Sequence, residues 1–512
     1  MIRPPPPRAF RDPTVLGALA LALLCAWPML TSPQISLQTG TAGPPPFVYT
    51  DSFAYEVLGR ATTRLLMRAL SLAGPEGGGG GGEDPAAAAP SFRGLRSAAW
   101  SLSLGLLGGL PWGGIALALA QTAATLFVLS ALVPAGATGA ALAGGALAVA
   151  ALSGLPWYAS YAMPDMLGAL VLAYYAALAG PFAELGRRQR LLFGLLATYA
   201  ILGHYGHLPL AGALAAGAIG LAALRRHPPG ALAVAALGPP ALAALVNLGT
   251  GIAAEALVER ARGAAPPATA IPAIPADAPA PAPDAADAPT VSLTPGRLPI
   301  VLARSIEDGP GRLHLREACA RNLYRSCAFL PLEAETVHAF LWAPGGLQAL
   351  DPRQRAILRA EEMTIVRDAA RAYPLRQAAA LARNVGLQLA RVGVDQHYPL
   401  PGWNADGTRR PVVEARTLST PALAAADRAL PALTGLAAAA LALAALLGRV
   451  PPVLWAPFAM LLAGIALNAA IYGGLSYPVD RYGGRVAWLV PAMLALALAV
   501  PSGRTRSGRA VR

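Results

Sequence analysis

The chain has 512 residues, of which 55% are hydrophobic and 13% charged, with a mean hydropathy of +0.49. A soluble domain carries roughly 25% charged residues, and several apolar runs here reach the roughly 20 residues needed to cross a bilayer, so a soluble alanine-rich helical protein is excluded. All 40 basic residues are arginine and the net charge is +13, yet the arginines sort by membrane side, so nucleic acid is not an expected partner.

Arg3, Arg8 and Arg11 precede a first apolar run, Thr14–Leu30. No clean small-x-small cleavage site follows it, so it reads as a retained span starting in the cytoplasm and not as a signal peptide. Residues 31–110 make a poor span throughout and read as a large first external loop. That loop holds the amphipathic stretch TDSFAYEVLGR (Thr50–Arg60) and the glycine run Gly77–Gly82. Further spans are expected near 113–133, 136–155, 165–183, 191–205, 208–224, 230–250, 429–447, 452–472 and 485–500, about ten in all with the first. The segments this arrangement places inside carry Arg187, Arg188, Arg190, Arg225, Arg226, Arg449, Arg504, Arg506, Arg509 and Arg512. Cytoplasmic loops hold the arginine excess, so both termini are expected in the cytoplasm.

The expected class is therefore all-α, a polytopic helical membrane protein. Residues 1–250 form a first transmembrane module, and 251–296 an Ala/Pro-rich linker that cannot build a core. Residues 297–428 form a helical extracytoplasmic region, and 429–512 a second module of three spans with a basic tail. Within the extracytoplasmic region, DPRQRAILRAEEMTIVRDAARAYP and LRQAAALARNVGLQLARVG repeat apolar residues at three-to-four spacing. Glu361 and Glu362 read as part of a solvated helix face. Cys319 and Cys327 either pair in an oxidising periplasm or remain two thiols on a helix.

Chemistry-bearing residues collect on the outer side: Asp51, Asp165 in WYASYAMPDM, His204 and His207 in HYGH, and Asp480, Arg481 and Arg485 in the last outer loop. Polar groups at membrane depth are costly and are functional candidates by default. Each also has a structural reading. Asp51 and Asp165 can cap helices, His204 and His207 can be interfacial as readily as metal-binding at one-turn spacing, and Asp480–Arg481 can be a local ion pair.

Two stretches carry a family resemblance. TDSFAYEVLGRATTRLL resembles the motif in the first external loop of type C (GT-C) glycosyltransferases: an acidic residue, a tyrosine, then an apolar helix. SYAMPDMLGALVLAYYAAL resembles their later segment in which an aspartate opens a span. The likeness covers mainly residues 14–250 in arrangement. It implies a GT-C-like N-terminal module that transfers sugar from a polyprenyl-phosphate donor to a lipid or glycan acceptor outside the cytoplasm, in a bacterial inner membrane. On it, Asp51 is the catalytic base and Asp165 its support, Tyr55, His204, His207 and Asp480 line the site, and Arg481 and Arg485 hold phosphate. A divalent metal is the one cofactor it leaves open, weakened because Asp51-Ser52 stands where many members have an acidic pair. The GGLSYPVDRYGGRVAWLVP stretch is similar to uncharacterised bacterial membrane proteins. A scaffold for an envelope partner, or a lipid or polysaccharide transporter, are the alternatives.

Overall fold

A computed structural model describes residues 23–25, 27, 97–108, 113–133, 139–160, 163–180, 182, 185–224, 229–264, 298–330, 335–343, 345–394 and 419–499. Asp51 and Tyr55 lie outside them. Among the described residues every regular element is helical. Four helices are long and apolar enough to cross a membrane: His207–Leu224, Gly230–Gly249, Ala424–Leu446 and Pro452–Gly474. The described residues are those of an all-helical membrane protein.

The first module consists of α1 (Ala98–Gly108), α2 (Gly113–Ser130), α3 (Gly139–Leu152), α4 (Leu155–Ser160), α5 (Asp165–Leu178), α6 (Arg187–Gly203), α7 (His207–Leu224) and α8 (Pro229–Ala264). α1 falls at the end of the expected external loop, but it is apolar and packs on α6. Trp100 and Leu104 are buried, and the Ser97 hydroxyl donates to the Leu202 carbonyl. Its 11 residues are too few to cross a bilayer.

α5 is the hub. All of its residues are buried, and it packs against α6, α7, α8 and helices of the second module. Its two tyrosines repair a defect in α8. Pro239 and Pro240 sit inside that helix and lack the N–H groups that would reach the carbonyls four residues earlier. Those carbonyls belong to Ala235 and Ala236. Tyr174 Oη donates to the first at 2.7 Å and Tyr175 Oη to the second at 2.9 Å. In an apolar setting an unpaired carbonyl costs several kcal/mol, so the tyrosines make the double proline tolerable. α8 also continues past the expected boundary at 250 as far as Ala264, because AEALVERA is built from good helix formers.

A helical unit between the two modules comprises α9 (Ile300–Asp308), α10 (Pro310–Ala320), α11 (Val337–Trp342), α12 (Pro352–Ala372) and α13 (Pro374–Ala390) around a core of Leu302, Ile306, Leu315, Phe340, Leu358 and Ile365. α9 turns into α10 at Gly309, whose φ of +105° suits glycine alone. α12 starts on a capping box: Gln354 N donates to Asp351 Oδ1, Asp351 N donates to Gln354 Oε1, and Pro352 takes the first helical position. Cys319 and Cys327 form a disulfide with Cα atoms 5.1 Å apart.

The acidic pair on α12 departs from the solvated-face expectation. Glu362 is 3% exposed and its Oε1 accepts from the backbone N–H groups of Val301 and Leu302. Glu361 accepts from Arg325 N and Ser326 N. Both carboxylates satisfy N–H donors at the starts of short helices, where negative charge is favoured. Periodicity alone could not distinguish that use from a solvated face.

The second module has α14 (Ser419–Leu446), α15 (Trp455–Ala469) running into a π-turn (Ala470–Gly474), α16 (Asp480–Ala487) and α17 (Leu489–Leu498). α13 lies across the π-turn and α16. Gln388 clamps the loop before α16: its Nε2 donates to Val479 O at 2.9 Å and its Oε1 accepts from Val479 N at 3.1 Å. A Cβ at Gly483 would clash with Arg391 O, so only glycine permits this approach.

Candidate functional site

Five of the residues singled out from the sequence meet at one end of α5. Asp165 is the first residue of α5, with Pro164 before it and no side-chain cap formed. Its carboxylate turns instead toward α16, 316 residues away. Arg481 Nε donates to Asp165 Oδ1 and Oδ2 at 2.9 and 3.0 Å, and Arg485 Nη1 donates to Oδ1 at 3.3 Å. The carboxylate is 1% exposed, Arg481 5% and Arg485 0%. Charges taken out of water this completely are retained only when paired and hydrogen-bonded.

Three residues that the sequence reading did not assign complete the group. Asn468 Oδ1 accepts from Arg485 Nη2 at 2.8 Å, while Asn468 Nδ2 donates to Tyr482 O at 2.7 Å. The Tyr472 ring lies under the Arg485 guanidinium, 3.9 Å from centroid to Cζ, a cation–π contact. Asn468 sits in an apolar run, and an amide there was the available signal.

The two histidines arrive from the α6–α7 turn. His207 Nδ1 bonds the Ala200 carbonyl at 2.8 Å. A carbonyl only accepts, so Nδ1 carries the proton and Nε2 of the neutral ring presents a lone pair. That Nε2 is buried without a hydrogen-bond partner, as is Arg485 Nε. Both face Gly168, where a Cβ would lie 3.2 Å from the first and 3.5 Å from the second. His204 Nδ1 accepts from Gly206 N at 3.1 Å and lies 3.3 Å from Tyr472 Oη, which links it to Arg485 through one ring.

Asp480 faces elsewhere. Its Oδ1 accepts from Gly393 N at 2.9 Å, tying α16 to the segment that follows α13. The Arg485 guanidinium bonds Asp165 and Asn468 and lies against the Tyr472 ring.

For a divalent cation the fit is poor. Two guanidiniums occupy the Asp165 carboxylate, and among the described residues no three His, Cys, Asp or Glu side chains gather as a ligand set. The group can instead join the two transmembrane modules through charge, and it can offer one imidazole lone pair within a closed polar interior.

No match decides the family. The chain matches no family model, no curated protein and no solved structure.

Proposed function

We propose that the chain is a membrane-embedded glycosyltransferase of type C arrangement. In this reading it has about ten spans, both termini in the cytoplasm, and its site on the extracytoplasmic face of a bacterial inner membrane. It moves a sugar from a polyprenyl-phosphate donor to a lipid or glycan acceptor in one inverting displacement. Asp51 takes the acceptor proton, the work of a carboxylate within reach of the attacking group. Asp165, Arg481 and Arg485 act as positioning residues, and His204 and His207 line the interior beside them.

The observation that supports this reading is the convergence of Asp165, His204, His207, Arg481 and Arg485 from three separate stretches of chain at one end of the helix bundle. The motif resemblance of the first module points the same way. The deciding test compares envelope glycans and glycolipids by mass spectrometry in a deletion strain, the strain with wild type restored, and the strain with Asp51→Asn at matched expression. A mass that vanishes, returns with wild type and stays absent with Asp51→Asn names the sugar and the base. Full restoration by Asp51→Asn removes the reading.

One observation favours a second reading, a non-catalytic anchor for an envelope partner: the Asp165 group is sealed, with its carboxylate and both guanidiniums at most 6% exposed. In that case the deletion strain keeps every glycan mass and loses an envelope assembly instead.

A further inference from the structure

A second buried carboxylate lies in the helical unit between the two modules, at the end of α9. The Asp308 side chain is 0% exposed and receives Arg304, Arg383 Nη2 at 2.9 Å, and Asn384 Nδ2 at 2.9 and 3.1 Å. Arg383 is 59% exposed. From Arg383 the α13 spacing of four leads through Leu387 to Arg391, so both arginines fall on one face. That face borders a cleft of about 500 Å³ whose walls include Arg304, Glu307, His338, Arg383, Arg391 and Tyr477. Its floor belongs to the helices of that unit. Tyr477 and Pro478 belong to the loop that follows the Pro452–Gly474 span.

The free hydrogen-bonding capacity of the cleft is on the donor side. Glu307 Oε2 accepts from Val337 N at 2.6 Å and Oε1 pairs with Arg304 at 3.2 Å, so both carboxylate oxygens are engaged. Arg391 commits Nη1 to Pro478 O at 2.8 Å and is otherwise exposed, as is His338. Arg304 is 5% exposed, and its buried Nε has no hydrogen-bond partner. Three guanidiniums thus face two carboxylates in a recess of the size that takes small molecules. Guanidinium forks match the oxygens of a phosphoryl group in pairs.

We propose that this cleft binds a phosphoryl group, held by Arg383 and Arg391 with Arg304 beneath them. A prenyl phosphate headgroup presented from the membrane and a free phosphorylated compound share that chemistry. Binding here is independent of the sugar-transfer reading and stands even if no glycan depends on Asp51.

The test is isothermal titration of the purified full chain in detergent with three probes: inorganic pyrophosphate, farnesyl phosphate, and farnesol as the phosphate-free control. At least one phosphorylated probe binds, farnesol binds at least tenfold more weakly, and Arg383→Gln and Arg391→Gln each weaken the phosphorylated probe at least tenfold. Arg391→Gln keeps the wild-type Tm, since its side chain is exposed. If Arg383→Gln disturbs folding through Asp308, Arg391→Gln carries the same test. Preference for farnesyl phosphate over pyrophosphate assigns a lipid headgroup, and equal or reversed affinity assigns a soluble phosphate compound. The proposal is overturned if neither phosphorylated probe binds, if farnesol binds equally well, or if Arg391→Gln leaves the affinity unchanged.

Discussion

Asp165 and Asp308 are the same chemical problem solved in two settings. Each is a buried carboxylate met by two arginines, with an asparagine beside it. Around Asp165 all the partners are sealed, and Arg485 is 0% exposed against the Tyr472 ring. Around Asp308 one arginine remains inside and the other, Arg383, reaches water at 59% exposure. The sealed version can only join helices. The open version can join helices and still offer a guanidinium to something else.

The comparison is sharpest when each carboxylate is removed. Asp165→Ala leaves two guanidiniums buried without their counter-charge, a change that typically costs about 3–5 kcal/mol. Asp308→Ala frees Arg383 to hydrate and is expected to cost about 1–3 kcal/mol. Tm of the detergent-solubilised variants checks the order, and equal losses would break the distinction between sealed and open sites.

The next effect belongs to the helical unit between the two modules alone. The Cys319–Cys327 bridge closes a short loop with a sequence separation of 8. Loop-closure entropy for about nine residues suggests that Cys319→Ser with Cys327→Ser costs about 2–3 kcal/mol. Limited proteolysis should show faster cleavage within 298–394 and unchanged cleavage of the membrane helices. Faster cleavage of both would show that the two regions melt together.

A smaller effect is expected on the membrane side. Tyr174→Phe strips the Ala235 carbonyl of its replacement donor beside Pro239. Hydrogen bonds among membrane helices are worth roughly 0.6–2 kcal/mol, so a Tm loss of that order is expected, and Tyr175→Phe should resemble it. Additive losses in the double variant would show that each tyrosine serves its own proline.

The smallest effect is a matter of pH. Burial, and then the hydrogen bond to Asp368, push the half-buried Tyr324 hydroxyl up to about 12 from 10. The folded state therefore holds this proton more tightly than the unfolded chain. Its contribution is complete below about pH 10 and is lost as pH rises toward 12. Tm should drop across that window, and Tyr324→Phe should flatten that part of the profile.

Hydropathy made much of this molecule legible. The four long apolar helices fall where runs at 208–224, 230–250, 429–447 and 452–472 are visible. Polar residues at the ends of spans pointed to Asp165, Arg481, Arg485 and the two histidines, because a charge at such a depth needs a reason. The sequence did not reveal who pairs with whom. Asp165 could equally have been a helix cap, and nothing within α5 says that its partner lies on α16. The tyrosines at 174 and 175 and the prolines at 239 and 240 are plain to see, yet their pairing depends on two helices lying side by side. Glu361 and Glu362 show the converse: an amphipathic pattern predicts that a carboxylate is near water, but not that a neighbouring helix start will claim it.

The span of 316 residues between Asp165 and Arg481 also sets a clock. At about 5–20 residues per second, a ribosome that has just made Asp165 needs roughly 15–60 s more before its arginine partner emerges. Throughout that interval the hub helix carries a carboxylate that nothing yet neutralises, and the first module cannot reach its final packing. A protein truncated anywhere before α16 would be left with its central charge open to membrane quality control.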